Sequence, residues 1–202
     1  MEALINYWKK YWFIWLGTGI ILIAAGIFIS LSKPYSYHGT VINPPKQAPD
    51  FSLLDTKGST FRLSDYKGKI VLLFFGYTNC PDECPATLAI MKQVWANLGN
   101  KVDQIKFVFI TVDPERDTGP VLQSFIDKFN SDFIGLTGSE SEMKPVWNSF
   151  GVYVTKSGTG PDYSVSHSLN LYLVDKKGDV AVIYPYPTTV EDLSKDLFHL
   201  VD

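Results

Sequence analysis

Residues 69–85 read Lys69-Ile70-Val71-Leu72-Leu73-Phe74-Phe75-Gly76-Tyr77-Thr78-Asn79-Cys80-Pro81-Asp82-Glu83-Cys84-Pro85, and this stretch decides the architecture. Lys69–Phe75 is apolar throughout after its first residue, the pattern of a strand buried on both faces. Gly76–Asn79 turns the chain. Beyond Pro85, Leu88, Met91, Val94, Trp95 and Leu98 recur at helical spacing and stop at Gly99. A buried strand that hands over to an amphipathic helix is a building unit of an α/β sheet, and the carboxyl edge of such a sheet is where ligands usually bind. Cys80 and Cys84 stand at that edge.

Working outward, Lys106–Val112 predicts a second buried strand, ended by Asp113-Pro114, and Pro120–Phe129 carries an apolar stripe suited to a helix. A third helix is expected over Ser141–Phe150 and a short strand over Val152–Thr155. Leu169–Asp175 and Val180–Tyr184 flank Lys176-Lys177-Gly178-Asp179 and read as a hairpin, as do Phe51–Asp55 and Thr60–Leu63 around Thr56-Lys57-Gly58-Ser59. Val190–Leu200 predicts the last helix. Strands alternating with helices, closed by hairpins, indicate an α/β sandwich with a mixed central sheet over residues 50–202.

Toward the amino terminus, no residue from Tyr11 to Ser32 is charged, and Lys9, Lys10 and Lys33 bracket the run. As a helix it would be roughly 33 Å long, enough for a hydrocarbon core of about 30 Å. Tyr7, Trp8, Tyr11, Trp12 and Trp15 gather at one end and Tyr35 and Tyr37 follow the other, as interfacial aromatic belts do. A cleaved signal would have a shorter apolar core and a small-residue cleavage site, and neither is present. The expectation is a short cytoplasmic tail (1–10), one transmembrane anchor (11–32), a proline-rich tether (33–49) and a domain on the extracytoplasmic side of a bacterial cytoplasmic membrane, since Lys9 and Lys10 outweigh Lys33.

Composition narrows the chemistry. The 202 residues carry a formal charge of −3, and the 169 beyond residue 33 hold 15 basic against 20 acidic side chains, which argues against a nucleic-acid footprint. There are two cysteines and three histidines, His38, His167 and His199, so a Cys/His site has few memberships. Four residues apart at a helix start, Cys80 and Cys84 would share a face if both lie on the helix. The unpaired N–H groups and dipole there lower thiol pKa values. Such a pair can close a disulfide or chelate a soft metal. As a mere staple it would gain little, because stabilisation grows with loop length. The Pro, Asp and Glu between the thiols suggest an exposed turn. Thiolates with an imidazole suit copper or zinc, and two sulfurs alone can hold Cu(I). His38 falls in the tether and His199 on the terminal helix, where solvated or capping roles are expected. His167 lies in the polar segment Tyr163–Ser168, before the strand at Leu169, a loop that can reach the cysteine edge.

Read together, these segments resemble the Sco (SenC/PrrC) family of thioredoxin-like copper proteins. Phe75–Pro85 is similar to that family's F-G-Y-T-x-C-P-D-x-C-P signature, Val112-Asp113-Pro114-Glu115-Arg116-Asp117 to its second motif, and Gly135-Leu136-Thr137-Gly138 to a third. Val165-Ser166-His167-Ser168 aligns with the segment bearing the family's essential histidine, with Ser166 where aspartate is common. The resemblance implies a thioredoxin-like sandwich that binds one copper, as Cu(I) or Cu(II), through Cys80, Cys84 and His167. It implies that Cys80 and Cys84 are also a redox pair that forms a disulfide when oxidised. It further implies a metallochaperone or thiol reductant for the dinuclear copper (CuA) centre of cytochrome c oxidase subunit II, or for another CuA protein. The competing expectation is a membrane-anchored thiol-disulfide oxidoreductase or thiol peroxidase in which copper is incidental. The Asp113–Asp117 segment reads either as a strand-ending turn fixed by an Arg116–carboxylate pair or as a docking element. Asp82 and Glu83 read as outer groups near the metal or as favourable charges at a helix start.

Overall fold

The computed structural model describes residues 1–31, 35–160 and 163–201, except for some side chains of the first helix. It divides into two units, residues 1–36 and 37–202. The first is helix α1, Glu2–Leu31, a 30-residue helix and so about 45 Å long. Its middle is apolar and open, with Ile20, Ile21, Leu22 and Ile23 exposed. Among the described residues, no helix is long and apolar enough to cross a membrane. Ser32, which ends the uncharged run, lies outside them, as do Lys33, Pro34 and the side chains of Tyr7 and Trp8.

The second unit is built on one eight-stranded mixed sheet. Its strands are β1 (Thr40–Gln47), β2 (Ser52–Asp55), β3 (Thr60–Arg62), β4 (Ile70–Gly76), β5 (Ile105–Thr111), β6 (Ile134–Thr137), β9 (Leu171–Val174) and β10 (Asp179–Tyr184), in the order β1-β10-β9-β4-β5-β6-β2-β3. β4, β5 and β6 are parallel and the flanking pairs antiparallel. β7 (Val154–Ser157) and β8 (Ser164–His167) form a separate two-stranded ribbon. The helices are α2 (Glu83–Leu98), α3 (Gly119–Ile126), α4 (Glu140–Ser149) and α5 (Val190–Val201).

The central strands are buried on both faces, as their unbroken apolar runs require. On one face Phe107 meets Trp95 of α2 and Phe109 meets Phe125 of α3. Asn97 of α2 bonds Ser194 of α5, which places that helix on the same side. On the other face Phe75 packs on Phe150, just past α4, and on Tyr172 of β9. The α/β sandwich with a mixed central sheet is the architecture found.

Three strands lie where the sequence pattern predicts none. β1 occupies much of the expected tether. It is an edge strand whose pairing with β10 slips between Val41 and Lys46, around Pro44 and Pro45, where prolines that cannot donate to a ladder are tolerated. The apolar run of β6 is broken by Gly135, and β8 carries one aliphatic side chain, Val165, so neither shows a strand signal. The segment holding His167, expected as a loop, is therefore a strand.

Candidate metal centre

β4 brings the chain to the carboxyl edge of the sheet, and the loop after Gly76 holds Cys80, whose N–H donates to the Tyr77 carbonyl at 3.3 Å. α2 begins only at Glu83, so Cys84 lies in its first turn and Cys80 lies outside the helix. The two thiols thus do not share a helix face as the spacing suggested. Instead the Cys80 sulfur stands before the helix start and accepts the Cys84 N–H at 3.4 Å, a backbone donor that favours negative charge on that sulfur. Pro81 and Asp82 are exposed as expected of a turn, yet Cys80 keeps 7% of its surface accessible and Cys84 none. The turn is exposed; the two cysteines belong to the core.

The pair holds its protons unequally. A hydrogen bond from the Cys84 thiol is the largest influence on Cys80 and brings it down to about 3, against burial, which raises it; His167 and then the Cys84 backbone N–H help. Cys84 is pushed upward, first by that same bond and then by its own burial. The lowering expected of both thiols therefore holds for Cys80 alone: one thiolate, one thiol. Glu83 Oε2 lies 3.4 Å from Cys80 Sγ. That contact is a hydrogen bond only while Cys80 is protonated, and the carboxylate's charge opposes the ionisation that Cys84 favours. Asp82 makes no side-chain cap to α2.

His167 ends β8. Its Nδ1 is 2.8 Å from the Ser168 carbonyl oxygen, which can only accept. Nδ1 therefore carries a proton, and Nε2 is the ring nitrogen that faces the sulfurs. Nε2 lies 3.5 Å from Cys84 Sγ, and the Tyr77 ring stands edge-on to the imidazole at 5.6 Å. The donor atoms of Cys80, Cys84 and His167 all fall within 4.8 Å of one another, a group able to hold a metal ion. Two sulfurs and an imidazole nitrogen form a donor set soft enough for copper or zinc.

The other histidines take no part. His38 is exposed, as expected, but also bound: its N–H and Nδ1 reach the two carboxylate oxygens of buried Asp196 at 2.9 and 2.7 Å, and Tyr184 donates to the same carboxylate at 2.9 Å. The His199 ring packs edge-on to Tyr37.

Asp113–Asp117 forms the turn after β5. Asp113 and Asp117 are fully buried. Arg116 Nε donates to Asp113, so the expected Arg116–carboxylate pair is present. Sequence reasoning did not single out Thr78, Tyr163 or Tyr77 as individual residues. Thr78 and Tyr77 lie inside a motif already recognised, whereas nothing around Tyr163 marks it.

The SCO1/SenC family model matches residues 40–202. A SCO2-like protein of Rickettsia felis is 40% identical over 132 residues, covering 64% of each chain. The sco1 protein of Schizosaccharomyces pombe is 36% identical over 159 residues, 76% of this chain. The chain spans 64% and 60% of the length of these two relatives. Among solved structures, Bradyrhizobium japonicum ScoI with copper bound superposes with a TM-score of 0.71 at 34% identity, covering 76% of this chain and 99% of that one. BsSco, a member of the Sco family of cytochrome c oxidase assembly proteins in which a disulfide switch has been identified, gives 0.64 at 25% identity, covering 81% and 96%. A thioredoxin-family thiol:disulfide interchange protein of Chlorobium tepidum gives 0.56 at 20% identity, covering 78% and 97%, a likeness of fold. The α/β fold is thioredoxin-like.

Proposed function

The chain belongs to the SCO1/SenC family, and from that premise we propose that it is a membrane-anchored, copper-binding assembly factor for cytochrome c oxidase. Cys80 Sγ, Cys84 Sγ and His167 Nε2 would hold one copper, as Cu(I) or Cu(II). The recipient would be the CuA centre of subunit II or another CuA protein. The observation that carries this reading is the convergence of the His167 nitrogen on the two sulfurs. A plain dithiol reductant has no use for a third donor there. Copper, when held, supplies a thiolate-bound centre whose ion can pass to softer or more numerous ligands on a partner.

The chain's own groups divide the remaining work. Cys80, the less deeply buried of the two and the one with the lowered pKa, is the group to meet a partner. In a thiol-reductant step its thiolate attacks one sulfur of a partner disulfide and releases the other as a thiolate. Cys84 then displaces the mixed disulfide, closing Cys80–Cys84 and leaving the partner reduced by two electrons. Copper delivery and this reduction use the same sulfurs, and a pure oxidoreductase differs only in not needing His167.

The anchor is proposed from the sequence, from the uncharged run between Lys10 and Lys33, with residues 1–10 cytoplasmic and the domain outside. A full chain released from membranes by alkaline washing would end this part of the reading.

Titrating the metal-free, reduced chain with Cu(II) tests the site. One equivalent should produce a thiolate-to-copper charge-transfer band, lost in Cys80→Ala, Cys84→Ala and His167→Ala. Unchanged affinity in all three variants would end the copper reading. Full reductase activity in His167→Ala, with copper binding lost and the oxidase still assembled, would favour the oxidoreductase instead.

A further inference from the structure

The two halves of the site come from elements that share no strand pairing. Cys80 and Cys84 belong to the β4–α2 junction of the main sheet. His167 belongs to the β7–β8 ribbon, which among the described residues pairs only with itself. A two-stranded ribbon is marginal alone, so contacts outside the ladder must fix where it sits. The turn Asp113–Asp117 makes such contacts to both halves.

Toward the cysteines, the buried Asp117 carboxylate accepts the Thr78 N–H at 3.0 Å and the Thr78 hydroxyl at 2.6 Å, two residues before Cys80. It also accepts the Thr111 hydroxyl of β5 at 2.6 Å, which ties that loop to the sheet. Toward the histidine, the holding point is Tyr163, the residue before β8. Its carbonyl accepts from Arg116 Nη1 at 2.9 Å, and its hydroxyl donates to Asp113 Oδ1 at 2.5 Å. The Arg116 guanidinium lies 3.9 Å from the centre of the Tyr163 ring. The other strand is held as well: Lys156 of β7 pairs with Glu115 at 3.0 Å. Arg116 finally lies 5.9 Å from the Tyr77 ring, the wall against which His167 rests.

We propose that Arg116 and Tyr163 are positioning residues for His167, and that the Asp113–Asp117 turn sets the separation between the imidazole and the two sulfurs. The inference rests on the reading of Cys80, Cys84 and His167 as ligands, and extends it to the part that aligns them. Arg116 is planar and many-donored, so it bonds Asp113, the Tyr163 carbonyl and a ring face at once; a lysine cannot.

The test uses the full chain with Tyr163→Leu, Tyr163→Phe and Arg116→Lys, each first checked for cooperative thermal unfolding. Hydrogen exchange of residues 164–167 is measured in the metal-free protein, with residues 70–76 as the internal reference. Cu(II) affinity is measured separately. Tyr163→Leu should speed exchange in the ribbon by about tenfold with the reference unchanged, and weaken Cu(II) binding by about 10- to 100-fold, the usual range for groups that orient a ligand. Tyr163→Phe, which keeps the ring and loses one bond, should fall between Tyr163→Leu and the unaltered chain. Because Tyr163 is partly exposed, its variants are expected to fold even if Arg116→Lys does not. Unchanged ribbon exchange in a folded Tyr163→Leu chain overturns the proposal, and so does faster exchange with unaltered affinity and charge-transfer band. If the unaltered chain shows no copper band, the ligand reading fails by itself, and exchange still decides whether the turn holds the ribbon.

Discussion

The sulfur of Cys84 rests in the space that a side chain on Gly76 would need: a Cβ there would stand 3.0 Å from Sγ and 3.0 Å from the Phe109 ring. The last residue of β4 is thus crowded on its Cβ side by the second cysteine and the Phe109 ring together. Gly76→Ala should cost about 1–3 kcal/mol by overpacking a buried position. It should also displace Sγ from His167 Nε2, lowering Cu(II) affinity. Denaturant midpoints together with a copper titration check this; an alanine variant with unaltered stability would show that the sulfur moves freely.

Cys80 should behave as a thiolate far into the acid range. Its pKa is held down at about 3 by the Cys84 thiol, by His167 and by the Cys84 backbone N–H, whereas a free thiol titrates at about 8.5. Alkylation of the reduced, metal-free chain should therefore stay fast as pH falls from 8 to about 4, modify Cys80 first, and slow only near 3. For stability the sign is that of a depressed acid. The contribution is fully present above the unfolded thiol pKa, and it declines as pH falls and is gone below about 3. Cys84→Ser weakens the hydrogen-bonded pair and should move the alkylation profile toward neutral pH. A profile centred near 8.5 in the unaltered chain would refute the one-thiolate pair.

Removing the imidazole should separate the two copper oxidation states. Cu(I) is held well by two sulfurs, while Cu(II) needs the nitrogen donor. His167→Ala should weaken Cu(II) binding by at least about tenfold more than Cu(I) binding, measured by competition with chelators of each ion. Equal losses for both would point to a collapsed site.

His38 should matter to stability and leave copper alone. Its backbone and ring reach Asp196, which is fully buried on α5, and removing the ring leaves that carboxylate short of a partner. His38→Ala should destabilise the domain by about 1.5–3 kcal/mol, the range for hydrogen bonds to a charged group. The copper band should be intact. A loss of copper binding in a folded His38→Ala chain would contradict this separation.

Much of the fold was legible because its signals are local. The runs Lys69–Phe75 and Lys106–Val112 reappear as β4 and β5, and the apolar spacing from Leu88 to Leu98 as α2. The strands that escaped had no such signal. β1 is stabilised by β10, more than a hundred residues away, and carries two prolines; β6 is interrupted by Gly135, and β8 has one aliphatic side chain, Val165. At the site, both cysteines and their helix start were readable, but which thiol ionises was not. That depends on Cys80 standing outside the helix while Cys84 donates to it.

By itself, the order of residues determined the donor chemistry: two cysteines at a strand-to-helix junction, few histidines to join them, and motifs that name the family. Only tertiary structure decided that His167, 83 positions from Cys84, comes within 3.5 Å of it while His38 and His199 do not. The physical reason is that side-chain identity fixes what an atom can bind. Its distance from another donor atom is instead set by packing and hydrogen bonds among segments remote in sequence, here the β7–β8 ribbon and the Asp113–Asp117 turn.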